Sequence, residues 1–287
     1  MASFRPNRLL GRDQFLALFV WGAAALVAGS FIWLLFDMVW HGAAQLSWDF
    51  LTTDTENAGR AGGIGPILVS TLLILAVAMA VAAPIGLATA ILLNEFIAKD
   101  NRLARAIGMS IDVLAGVPSI VFGLFGMAFF SVYLGLGFSI LAGGLTLACM
   151  ALPILIRTIE EGLSAVPDEW RKGAAALGMS KLSALLHILL PAAAPALAAG
   201  LMLGIGRAMA ETAALIFTSG YVDRMPSSLH DSGRALAVHI YDLSMNVAGG
   251  DANAFASALV LVLMLIVINN IALWLAHSLL QKRISIS

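Results

Sequence analysis

Apolar and polar stretches alternate along this chain on a coarse scale. Residues 15–36 form a run of 22 without a charged side chain. Further apolar runs recur near 64–93, 106–130, 139–156, 192–218 and 254–276, separated by polar segments. A hydrocarbon layer about 30 Å thick requires about 20 apolar residues of a helix that crosses it. Backbone groups inside such a layer must bond within their own segment, so these runs are predicted to be helices. The pattern therefore predicts an all-α, polytopic membrane protein. It has one transmembrane domain over 1–287, with six spans near 15–40, 64–93, 106–130, 139–156, 192–218 and 254–276. The first run is longer than the 7–15 residue core of a signal peptide and is read as a retained span.

The polar segments have characters of their own. Residues 41–63 are glycine-rich, with Trp48, Asp49, Asp54, Glu56 and Arg60, and read as an external loop. Residues 94–105 are short and charged. In 219–253, Leu229, Leu236, Ile240 and Leu243 recur with helical period among His230, Asp231, Arg234, His239 and Asp242. That predicts a helix at the outer surface, either a docking surface or a plug packed on the spans. Residues 160–191 read as two short helices. Pro167 starts the first, Asp168 and Glu169 lie in its first turn, and Trp170, Ala174 and Leu177 share a face. Gly178 ends it in a left-handed conformation. Ser180 caps the second, whose apolar stripe is Leu182, Leu185, Leu186 and Leu189.

Charge orients the spans. Arg5, Arg8, Arg12, Lys99, Arg102, Arg105, Arg157, Arg171, Lys172, Lys181, Lys282 and Arg283 flank one side; Arg60, Arg224 and Arg234 lie on the other. The positive side faces the cytoplasm. Both termini and the 160–191 segment are therefore expected there, with 219–253 outside. Hydrophobic residues make up 60% of the chain and charged ones 11%, far from the roughly 45–50% and 25% of soluble domains. A net charge of −1 offers no basic face to nucleic acid. Cys149 is the only cysteine, and His41, His187, His230, His239 and His277 have no metal-ligand spacing, so neither disulfide nor metal site is expected.

Ionisable residues inside spans are functional candidates, since each costs about 2.5–3.5 kcal/mol at a helix centre. Arg207 and Glu211 stand four apart in the fifth run, close enough on one helix to pair. They form either a substrate site or a structural ion pair. Asp112 is expected to pair with Arg105 or Arg102. Arg157, after Pro153, is either a pathway cation or an interfacial anchor.

Two resemblances narrow the reading. Lys172-Gly173-Ala174, then Gly178, Ile188 and Leu190-Pro191 reproduce the spacing of the "EAA" loop of importer-type ABC permeases. Lys172 stands where that family has Glu and Gly173 where it has its first Ala, so contacts made by the Glu carboxylate do not carry over. The resemblance implies that Trp170, Lys172, Gly173, Ala174, Leu177 and Gly178 couple the chain to a separate ATPase subunit. GRAMAET at 206–212 resembles a stretch in both permeases of high-affinity phosphate ABC importers. GGIGP at 62–66, LAGVPSIVFGLFG at 114–126 and LPILIRTIEE at 152–161 resemble the PstA-type subunit in particular.

The implied fold is the six-helix type I importer core in a bacterial inner membrane. The implied partners are a PstC-like sister permease, a pair of PstB-like ATPases and a PstS-like phosphate-binding protein outside. Arg207, Glu211, Thr212 and Arg157 would line the phosphate path. Arginine suits that cargo, because its planar fork meets an oxyanion bidentately and stays protonated at any working pH.

No GxxxxGK[ST] motif occurs in the chain, so ATP and Mg are expected on the partner ATPase, with no cofactor and no catalytic residue here. The alternatives are a permease for sulfate, molybdate or phosphonate, and a secondary transporter using Arg207, Glu211 and Asp112 as a proton relay. The loop spacing argues against the second. A membrane enzyme would need a nucleophile or metal cluster that the sequence does not display.

Overall fold

The computed structural model of the chain describes residues 9–97 and 101–284, with side-chain surroundings for 14–97 and 101–274. Arg5, Arg8 and Lys99 lie outside the described residues. Arg12, Lys282 and Arg283 lie on helices at positions whose side chains are not described.

Almost everything described is helix. α1 (Leu9–Gly42) and α2 (Trp48–Thr52) precede a small hairpin, β1 (Thr55–Glu56) with β2 (Ala61–Gly62). Next come α3 (Gly65–Ile91), α4 (Arg102–Ala115), α5 (Ser119–Gly126) and α6 (Ile140–Ser164). α7 (Asp168–Ala176) and α8 (Lys181–Ala184) form the expected polar hairpin. α9 (Leu190–Met209), α10 (Ala213–Thr218), α11 (Leu236–Met245) and α12 (Asp251–Ile284) complete the order. Wider π turns extend α3 over Leu92–Phe96, extend α5 over Met127–Tyr133, and join α8 to α9 over Leu185–Leu189. Among the described residues, five helical stretches can cross a membrane by length and composition, or six if the bent pair α4–α5 counts as one.

Two expected spans are broken. The run near 106–130 is bent by 104° between α4 and α5, not straight. Proline is the cause: Pro118 has no N–H to continue the helix and pushes the residue before it toward extended backbone. The run near 192–218 stops at Met209 and restarts at Ala213. No proline marks this break. The Thr212 carbonyl accepts from the N–H groups of Leu215 and Ile216, and the Glu211 carboxylate accepts a long 3.5 Å bond from Ala214 N–H. These groups start a second helix where the first ends.

α6 is the central strut, with α3 and α9 packed along it. Lipid tails are as apolar as leucine, so such helices associate by close packing, which small residues allow. A Cβ built on Gly144 of α6 would lie 2.5 Å from Val77 Cγ1 of α3. Further down the same pair, Gly86 faces Leu155. On the other side Gly204 and Gly200 of α9 face Leu155 and Thr158. Ile74, Ala78, Leu147, Met150, Ala208, Met209, Leu215 and Val238 form the buried core of the half that holds the start of α6. A second cluster, with Ala90, Leu93, Ile159, Leu163, Leu185 and Leu189, seals the half next to the α7–α8 hairpin.

The segment after α10 folds back over this bundle. The first N–H groups of α6 would otherwise be orphaned. Ser139 N–H donates to the Thr218 carbonyl, Ile140 N–H to that of Asp231 and Leu141 N–H to that of Leu229. Leu229 therefore precedes α11 and is not part of it. The Asp231 carboxylate accepts from Ser227 and Ser228, which holds it below the ordinary carboxylate range. α11 is packed, not laid on the surface: Leu236, Val238, His239 and Leu243 are all fully buried. Arg234 ties the segment together, donating to the Tyr221 carbonyl at 2.8 Å and pairing with Asp242 at 3.3 Å and Asp223 at 3.8 Å.

Candidate substrate pathway and coupling hairpin

Arg207 lies on α9 two residues before its last residue, Met209. Because Gly204 faces Leu155 and Gly200 faces Thr158 on an antiparallel neighbour, Arg207 stands level with about residue 151, the middle of α6. Its side chain is exposed and has no hydrogen-bond or ion-pair partner among the described residues. The pair expected with Glu211 does not form. Four residues bring two side chains onto one face only while the helix continues, and α9 has ended before Glu211. Glu211 is buried, 8% exposed, with its carboxylate turned toward the first turn of α10. Thr212, half-buried, is the residue from which α10 starts.

Arg157 is in the opposite condition. It lies about six residues nearer the C-terminal end of α6 than the level of Arg207, or about 9 Å at the helical rise. Each of its three guanidinium nitrogens is bonded. Nε and Nη2 bond Asp112 at 2.9 and 2.6 Å, Nη2 also bonds the Gly108 carbonyl at 2.9 Å, and Nη1 bonds Glu160 at 2.8 Å. Asp112 thus pairs with Arg157 rather than with Arg105 or Arg102. The bend at Pro118 swings α4 beside α6, and so decides the partner.

The coupling hairpin follows its expected order with small shifts. Pro167 precedes the first helical residue of α7 and does not occupy it. Gly178 has φ +72°, with Met179 N–H bonded to the Ala174 carbonyl and Gly178 N–H to that of Ala175, both at 3.0 Å. That is the left-handed helix end expected of glycine. Ser180 Oγ accepts from Ser183 N–H at 3.1 Å and starts the second arm. Only the short Ala174 is buried; Trp170 and Leu177 are 49% and 81% exposed. Lys172 is exposed as well, and a Cβ on Gly173 would meet nothing within 4 Å. In the second arm Leu185 and Leu189 are buried and Leu182 is exposed.

One junction was not anticipated from the sequence. Arg171, counted above only as a positive flank, bonds Glu95 at 2.7 and 3.2 Å and the carbonyls of Leu163 and Val166 at 2.8 and 2.7 Å. Glu95 holds the Arg171 guanidinium above its ordinary pKa. The available signal was an acid directly after an apolar run, with an arginine in the polar segment between two later runs.

Known proteins agree with this architecture. Residues 82–285 match the family described as "Binding-protein-dependent transport system inner membrane component". The "Probable ABC transporter permease protein YqgI" of Bacillus subtilis is 31% identical, over 90% of this chain and 93% of that protein. The "Phosphate transport system permease protein PstA 1" of Mycobacterium tuberculosis is 33% identical, over 83% of this chain and 80% of that protein. Among solved structures, a bacterial ABC transporter that imports alginate aligns with a TM-score of 0.62 and 12% identity, over 93% of this chain and 99% of that one. That last likeness concerns the fold alone. With an exposed polar hairpin, a bundle of long apolar helices and these relatives, the chain belongs to the binding-protein-dependent inner membrane components, the type I ABC importer permeases.

Proposed function

We propose that this chain is the PstA-type permease subunit of an ATP-driven phosphate importer, carried above all by the unpartnered guanidinium of Arg207 halfway along the spans. A charged side chain at that depth is costly unless it serves a polar pathway. A partnerless arginine there suits a dianionic or monoanionic oxyanion, with several acceptor oxygens for its fork. The PstA 1 relative supports phosphate as the cargo. Thr212 adds a hydroxyl close by, and Glu211 can accept a hydrogen bond from a monoprotonated phosphate. Arg157 acts as a second station nearer the cytoplasm once Asp112 releases it. Two modest sites suit an ion that must leave as well as enter.

The energy enters through the hairpin. Trp170 and Leu177 project on either side of the bare Gly173, a ridge suited to a groove on an ATPase subunit, with Lys172 as the flanking charge and Gly178 fixing the turn. ATP and Mg belong to a PstB-like ATPase pair. A PstC-like permease completes the pathway, a PstS-like protein delivers phosphate outside, and both termini face the cytoplasm of a bacterial inner membrane.

The test is uptake by the reconstituted complex. Losing a hydrogen bond to a charged group costs about 1.5–3 kcal/mol, about 10- to 150-fold in rate. Arg207→Gln should lower phosphate uptake by that factor while the complex assembles and hydrolyses ATP. Arg207→Lys should fail nearly as badly, because a point charge lacks the fork. Normal phosphate uptake by Arg207→Gln would refute the site; uptake of sulfate or molybdate in preference to phosphate would refute the cargo.

A further inference from the structure

Glu95 and Arg171 stand where three helices end. Glu95 lies in the π turn Leu92–Phe96 that closes α3, with Ile97 N–H returning to the Leu92 carbonyl at 3.0 Å. Arg171 lies on α7, one turn into the coupling hairpin. Its fork spans both carboxylate oxygens of Glu95, while its remaining N–H groups reach the Leu163 carbonyl in the last turn of α6, the Val166 carbonyl just beyond that helix, and Asp168 at 3.3 Å. Beside it, Ser164 Oγ donates to Asn94 Oδ1 at 2.8 Å, and Asn94 Nδ2 donates to Glu95 Oε1 at 2.8 Å. The pair is shielded, at 24% and 12% side-chain exposure. Ala90, Leu93, Ile159, Leu163 and Val166 pack in the cluster beneath it.

Such a pair is poor evidence for stability, since desolvation offsets much of its attraction. Its distinctive property is geometric. A planar fork with every donor occupied permits little relative rotation of the three chain segments it holds. Wider helical turns often mark functional positions, and this one carries both Asn94 and Glu95 to the junction.

We propose that Arg171 and Glu95 are positioning residues that make the ends of α3 and α6 and the start of α7 one rigid lever. Force on the hairpin then tilts α3 and α6 together, and does not flex the hairpin alone. The proposal rests on the reading of the hairpin as the ATPase contact.

The test uses the complete purified complex, reading basal ATP hydrolysis, its stimulation by the phosphate-loaded binding protein, and phosphate uptake. Glu95→Ala should co-purify with the ATPase and keep basal hydrolysis, while stimulation and uptake fall about tenfold, within the range usual for coupling between sites. Arg171→Ala, which also frees α7 from α6, should lose at least as much, and the double variant should be no worse than Arg171→Ala, because Glu95 acts only through Arg171. A rescue separates leverage from folding. In a Cys149→Ala background, Asn94→Cys with Ser164→Cys joined by a short thiol cross-linker reconnects α3 to α6. It should restore stimulation to Glu95→Ala, in which Arg171 still holds α7 to α6, but not to Arg171→Ala. Normal stimulation in Glu95→Ala, losses that add in the double variant, or no rescue by the cross-link would overturn the lever. Absence of any co-purifying ATPase with the unaltered chain would instead overturn the reading on which it rests.

Discussion

Arg157 and Arg207 carry the same group and meet opposite fates. Arg157 has Glu160 three residues on along a continuous helix and Asp112 delivered by α4, so each of its guanidinium nitrogens is bonded to an acid. Arg207 loses its acid because α9 ends between them. His239 shows the same dependence on surroundings. It is fully buried, its Nε2 has no hydrogen-bond partner, and its ring lies against Gly59. Burial first, then the positive charge of Arg234, lower its pKa from 6.5 to about 4, against a smaller opposing pull from Asp242. The unfolded chain therefore takes up this proton before the folded one. The stability at issue is fully present above pH 6.5 and is lost as pH falls toward 4, by about 3 kcal/mol in total. Thermal unfolding in detergent at pH 7 and pH 4.5 should show a drop that shrinks in His239→Gln. An unchanged drop in that variant would mean other groups carry the acid sensitivity.

Among the helices, the breaks matter more than the spans. The turn at Gly178 is the clearest case, since its φ of +72° is one that branched residues resist. A side chain there meets nothing within 4 Å, so Gly178→Val isolates backbone strain, about 1–2 kcal/mol, from steric clash. That is too little to prevent membrane insertion but enough to misdirect the second arm. Gly178→Val should insert at normal levels and lose ATPase docking or transport-linked hydrolysis. Normal assembly and transport would show that the hairpin is not the energy input.

For the molecule as a whole, the charge asymmetry makes a topological claim that labelling can check. In a Cys149→Ala background, Glu169→Cys on α7 should react with an impermeant maleimide only from the cytoplasmic side. Met245→Cys, at the end of α11, should react only from outside. Both positions are exposed, so access is decided by the membrane and not by packing. Labelling of both from one face would rule out the arrangement of six crossings.

Helical type, apolar character and the two-armed hairpin were legible in the sequence because they are local. A run of about 20 apolar residues can only be a helix in lipid; a glycine at a helix end announces its own φ, and a spacing such as that from Lys172 to Pro191 survives any packing. Partnership was not local. Whether Arg207 reaches Glu211 depends on where a helix ends, and the break at 210–212 arises from backbone and side-chain bonds that no proline announces. Asp112 lies 45 positions from Arg157 and Glu95 lies 76 from Arg171, distances that the path of α4 and the return of α7 against α3 erase. The folding of 219–235 over the start of α6 likewise decided between the two readings of the 219–253 segment: α11 packs on the spans through Leu236, Val238, His239 and Leu243 and leaves Tyr241 and Met245 exposed. Ion pairs and buried polar bonds are contacts between segments, so only the tertiary arrangement could assign them.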